Sequence, residues 1–228
     1  MIEAAADVYG AAGLVVHLEQ KPVAPLRMII RGLGLTVDEV TMLTGSSAAA
    51  HLEAQARRPM ITADIAPDNL AGFLSANASG GWILVESADP LVRRRFTIAH
   101  ELGHYVLHFM PLLAHAAQFG GADDVEFTEA LTSAEDDNEV ISGSGRIIVS
   151  EMSDIDSAAL HPERMEKEAN RFAAELLMPE TMCRRLVSEV AERVAGKRRV
   201  AARRLATEFL VSEVAMRIRL ADLGLMEG

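Results

Sequence analysis

The pentad His100-Glu101-Leu102-Gly103-His104 constrains this chain more than any other stretch, because its chemistry assembles only on a helix. At ~100° per residue the two histidines lie ~40° apart and one turn from each other, so both reach a single metal ion. Glu101 sits ~100° from His100, beside the metal rather than over it. A carboxylate there can take a proton from a water the metal activates without itself being a ligand. Leu102, Val106 and Phe109 fall on the far side and bury the helix. Asp89-Pro90 has the chemistry of an N-cap and first helical position, and Pro111 predicts a stop after Met110. A pentad of this form arises by chance in about one chain in a hundred, so it needs a third ligand to carry weight.

Glu166-Lys167-Glu168-Ala169-Asn170 offers one. Glu166 and Asn170 are one helical turn apart on a common face, and Ala169 is small enough to let another helix approach closely. Glu166 completes a His2Glu site, with Asn170 accepting a hydrogen bond from the outer nitrogen of His100 and fixing its tautomer. Glu168 is the rival ligand, since spacing alone does not exclude it. His108 lies two turns beyond His100 at ~80° around the helix, too far along for a ligand but placed to support the site or face a substrate. Tyr105, His115 and His161 are weaker candidates of the same kind, and His17 and His51 read as structural.

The run Arg95-Phe96-Thr97-Ile98-Ala99-His100-Glu101-Leu102-Gly103-His104-Tyr105-Val106-Leu107-His108 resembles the signature of the ImmA/IrrE family of metallopeptidases. Glu166 through Pro179 resembles that family's second motif. Leu205-Ala206, Phe209, Val211-Ser212, Ala215 and Arg219-Leu220 resemble its ending. The similarity runs from about Leu26 to Leu225 and departs in a long acidic excursion between the two metal motifs. It implies a zincin-like fold of the glutamate-zincin kind, in which the first Glu of Glu-x-x-Ala-Asn, here Glu166, is the third ligand. The cofactor it implies is Zn2+, with Mn2+ as the alternative. It also implies a protein substrate, namely a helix-turn-helix transcriptional repressor whose cleavage switches on a mobile element or a stress response.

The formal net charge of −11 argues against general nucleic-acid binding, but it is unevenly spread. From Leu112 to Gly145 there is no Lys or Arg, against eight acids; from Arg184 to Arg204 there are eight bases against two acids. These read as solvated faces. No apolar run approaches the ~18 residues of a membrane span. Glu3 and Asp7 precede any basic residue, the wrong sign for an export signal, so a cytoplasmic protein is expected. The single Cys183 permits no intramolecular disulfide and reads as a buried thiol in a reducing compartment.

The expected architecture is α+β and a single domain over residues 1–228. A small twisted sheet near residues 60–90 packs on the metal-motif helix, with helices at both ends. Thr36 and Asp38 read as caps of a helix running toward Met42, Gly45 to Ala56 as a helix, and Trp82 to Val85 as a strand. Trp82 to Glu86 reads either as an edge strand that could pair with an extended substrate or as an ordinary central strand. Residues 112–160 form an acidic insertion with few apolar anchors, and Arg146 to Ser150 a short strand. A basic, helix-turn-helix-like part covers about 180–228, and Leu205 to Leu220 supports DNA-binding regulation as the alternative function, unlikely as the main activity given the charge and Glu213.

Overall fold

The computed structural model describes residues 2–14, 21–56, 69–118, 120–132, 148–150, 161–193 and 198–225. Helices α1 (Ile2–Ala11) and α2 (Leu26–Gly32) lead into strand β1 (Leu35–Val40) and helix α3 (Gly45–Ala56). Strands β2 (Leu70–Asn77) and β3 (Gly80–Glu86) form a hairpin, followed by helix α4 (Leu91–His104). A π-helical turn (Tyr105–Phe109) joins α4 to α5 (Met110–Gln118), and strands β4 (Glu126–Thr132) and β5 (Ile148–Ser150) follow. Helices α6 (Pro162–Leu177), α7 (Glu180–Arg193), α8 (Arg198–Phe209) and α9 (Glu213–Asp222) complete the described chain. The fold is α+β and zincin-like, with one five-stranded mixed sheet in the order β1-β3-β2-β4-β5. Only β1 and β3 run parallel; the other neighbours are antiparallel.

Three expectations are corrected. The stretch proposed to be capped by Thr36 and Asp38 is strand β1, not a helix. It is rich in β-branched residues, Thr36, Val37 and Val40; Leu35 and Val37 pack into the main core, and it lies in register with β3 from Leu35 opposite Gly81. Strand β3 is internal, flanked by β1 and β2, so Trp82 to Glu86 offers no free edge for substrate. Its unbroken apolar run has a physical reason: Ile83 and Val85 enter one core, while Leu84 and the packed side of Trp82 enter the other. Pro111 does not stop the helix, which continues through α5. The wider π turn just before it takes up the proline's missing donor and the bulk of its ring. Along the acidic excursion, Met110–Gln118 is helical and Glu126–Thr132 pairs with β2 as an inner strand. Residues 133–147 and 151–160, and with them most of that excursion, lie outside the described residues, as does His17.

The sheet's two faces have different partners. One face, with Leu70, Phe73, Leu84 and Ala130, packs under α3, whose Ala48 and Leu52 are buried there. Here His51 meets Asp38 of β1 at 2.9 Å, a structural contact. The other face, with Leu74, Ala76, Ile83 and Phe127, packs against α4 and joins the large core shared with α1, α6 and the C-terminal helices. Helices α4 and α6 approach very closely: a Cβ built on Gly103 would stand 3.0 Å from the Cα of Ala169. Two small residues therefore set the distance between the two motif-bearing helices. The arginines that open α4 lock its start in place, Arg93 to Asp89, Arg94 to Glu39, and Arg95 to the carbonyls of Ala24 and Leu210. The helix begins at Leu91 with Pro90 at the cap position, one residue later than Asp89 suggests. The C-terminal pair α8 and α9 turns through Leu210, with Ser212 capping α9 by accepting from the Ala215 amide. Leu205, Phe209, Met216 and Leu220 from this pair are all spent on the core.

Candidate metal centre

His100 and His104 leave α4 one turn apart, and both are fully buried. Their Nε2 atoms approach to 3.1 Å. Glu166 of α6 faces both, its Oε1 3.3 Å from His104 Nε2 and its Oε2 3.4 Å from His100 Nε2. These contacts leave Oε2 of Glu166 without a hydrogen bond although it is shielded from solvent. Three donor atoms thus converge, two imidazole nitrogens and a carboxylate.

The outer nitrogens are oriented from behind. His100 Nδ1 lies 3.0 Å from Asn170 Oδ1, so it donates there and turns the lone pair of Nε2 inward. His104 Nδ1 lies 3.2 Å from His108 Nδ1, and His108 Nε2 lies 3.2 Å from Glu168 Oε2. A carboxylate can only accept, so His108 donates to Glu168 and accepts from His104. That chain of donors also leaves His104 Nε2 as an inward lone pair. Glu168, the rival ligand by spacing, points to His108 and to Arg164 at 2.8 Å and not between the two histidines. Burial, reinforced by His104, pushes His108 down to about 4 against the pull of Glu168, so its ring is neutral at neutral pH.

Glu101 is fully buried, and neither carboxylate oxygen has a hydrogen-bond partner. It points toward β2, where Gly72 makes room: a Cβ there would stand 2.5 Å from Glu101 Oε1 and 2.5 Å from Thr97 Cγ2. Burial, then the charge and close approach of the Glu129 carboxyl, then the charge of Glu166 raise the Glu101 carboxyl well above the carboxylate range. Glu129 was not anticipated from the sequence. It sits on β4, is fully buried, and has both oxygens without a partner. Ligand atoms of His100, His104, Glu129 and Glu166 all lie within 4.8 Å of one another. The signal was present in Phe127-Thr128-Glu129-Ala130-Leu131, where an acid interrupts an alternation of buried apolar residues. Of the weaker candidates, Tyr105 packs on Phe109, while His115 and His161 are exposed and outside the cluster.

A divalent cation fits this set. Two inward imidazoles and buried carboxylates with orphaned oxygens match the N/O donors such ions take. The acids already draw positive charge: burial alone would lower His104, but Glu129 and Glu166 raise it.

The model of the Peptidase M78 family, described as the IrrE N-terminal-like domain, matches residues 59–121 and 151–221, more than half of the chain. The chain belongs to this family. Both helices that build the cluster lie inside the matched stretches, and membership of Peptidase M78 indicates a metallopeptidase-type hydrolase acting on protein. Strand β4, with Glu129, falls between the two matched stretches. No curated protein matches the chain. Among the described residues, no helix of this M78 chain is long and apolar enough to cross a membrane.

Proposed function

We propose that this chain is a zinc-dependent endopeptidase in which His100, His104 and Glu166 hold the metal and Glu101 is the general base. The observation that carries the reading is the convergence of two inward Nε2 atoms and the Glu166 carboxylate, beside a buried Glu101 that touches none of them by hydrogen bond. When bound, the zinc ion supplies a Lewis acid that polarises the scissile carbonyl and acidifies the attacking water. The chain's own residues do the rest. Asn170 and His108 hold the two imidazoles in the tautomers that present Nε2. Glu101 sits in a water-poor pocket against Gly72, where its raised proton affinity suits it to take a proton and later give it to the leaving amine.

The substrate we favour is a helix-turn-helix transcriptional repressor, in keeping with the family resemblance. Neither edge of the described sheet is β3, so an extended substrate would pair elsewhere than along Trp82 to Glu86. The test is elemental analysis of wild type beside Glu166→Ala and Glu168→Ala, followed by incubation with candidate repressors. About one zinc per chain is expected in the wild type and in Glu168→Ala, and none in Glu166→Ala. Repressor cleavage by the wild type but not by Glu101→Gln supports the activity. A wild type that binds no metal after reconstitution ends the proposal.

A further inference from the structure

We propose that Glu129 is a fourth protein ligand of the metal, closing the position that a three-ligand site leaves open. The inference rests on the metal-site reading above and extends it to a residue outside both family motifs.

Three observations carry it. Strand β4 turns Phe127, Glu129 and Leu131 toward α4, and all three are buried. Glu129 pairs with Leu74 across the strands, so by pattern its position calls for an apolar side chain. A carboxylate buried there is costly unless something pairs with it, yet among the described residues neither oxygen of Glu129 has a hydrogen-bond partner of good geometry, and the acid nearest it, Glu101, is a like charge. Its ligand atom, finally, belongs to the same 4.8 Å set as those of His100, His104 and Glu166. Ligand atoms around a tetrahedral zinc stand roughly 3.3 Å apart, so Glu129 has to close by at most about 1.5 Å. Glu101 is not a member of that set, which separates the two unexpectedly buried acids: one completes the donor shell, the other stands beside it.

The consequence is a resting site with two imidazoles and two carboxylates. Catalytic zinc sites keep three protein ligands and an open position, so Glu129 would have to give way before water and substrate could reach the ion. The fourth ligand comes from the sheet, not from the two motif helices, so metal binding also ties β4 to α4 and α6.

The experiment compares wild type, Glu129→Gln and Glu129→Asp as whole chains, with folding checked by circular dichroism. Zinc affinity is measured by competition with a chromophoric chelator, and acetohydroxamate affinity by titration of the zinc-loaded proteins. Gln removes the charge at constant shape, and Asp keeps the charge but withdraws it from the metal. Both variants should bind zinc roughly 10–100-fold more weakly. Both should bind acetohydroxamate roughly tenfold more tightly if Glu129 holds the position nine-tenths of the time. Unchanged zinc and acetohydroxamate affinities in both variants overturn the proposal while leaving the three-ligand site intact. Failure of the wild type to bind zinc overturns it together with the function proposed above.

Discussion

Helix α6 buries two carboxylates on opposite sides, and they are treated in opposite ways. Glu175 meets Arg219 of α9, and also accepts from the amide of Glu180. Arg219 in turn donates to the Met178 carbonyl, so the pair is satisfied from both ends. Glu166 faces two histidines, and one of its oxygens has no hydrogen bond. The two side chains are almost equally buried, 10% and 12% exposed, so burial does not separate them. What separates them is the partner. One end of the helix is locked by a cation within the chain, and the other is arranged for a cation from outside it. Burial pushes Glu166 up, but the closeness of His100 and His104 prevails and holds it at about 2. It is therefore an anion at neutral pH.

This contrast can be broken or sharpened by experiment. The largest effect is expected at the open end without loss of fold. Glu101→Gln should lower hydrolysis by ~10²–10⁴-fold in a peptide-cleavage assay while keeping the metal, because it removes only the proton acceptor. The locked end should respond in stability instead. Glu175→Ala strands the buried Arg219 charge, and chemical denaturation should show a loss of about 3–5 kcal/mol. Glu166→Ala should cost less in metal-free protein but abolish the rise in melting temperature on adding zinc. Equal losses from the two variants without metal would show that both ends are structural.

An intermediate effect is expected from Gly72→Ala. The new methyl has to displace Glu101 or the stiff Thr97, and cleavage should fall by roughly 10²-fold with metal content unchanged. A smaller effect concerns pH. The folded pKa of His108, about 4, lies below the ordinary 6.5, so the unfolded chain binds more protons between those limits. Metal-free protein should therefore lose stability as pH falls through that window, by up to roughly 1.4 kcal/mol per pH unit, and His108→Gln should flatten the slope. The smallest effect is at Cys183, whose thiol is buried and pushed up to about 12, mainly by burial. It should stay silent to thiol reagents until the chain unfolds.

Much of the centre was legible because it is local. His100, Glu101 and His104 share one helix, and so do Glu166 and Asn170, so helical periodicity alone brings each group onto one face. The small residue Ala169 announced the close approach to Gly103 for the same reason. Choosing Glu166 over Glu168 needed the family resemblance, since both lie within one turn; in the folded chain Glu168 is taken by His108 and Arg164.

What the sequence determined by itself is therefore the chemistry each helix carries: two histidines with a neighbouring acid, and a second acid backed by an amide. The tertiary structure decided everything that depends on which strands are neighbours. It made β3 an inner strand, turned the Thr36 and Asp38 stretch into β1, and let the helix pass Pro111 through a π turn. It also brought Glu129 from an acidic stretch to the heart of the site and set Gly72 behind Glu101. The physical reason is range. A helix fixes its faces through bonds four residues apart, whereas a strand's surroundings are set by partners dozens of residues away, which local pattern does not encode.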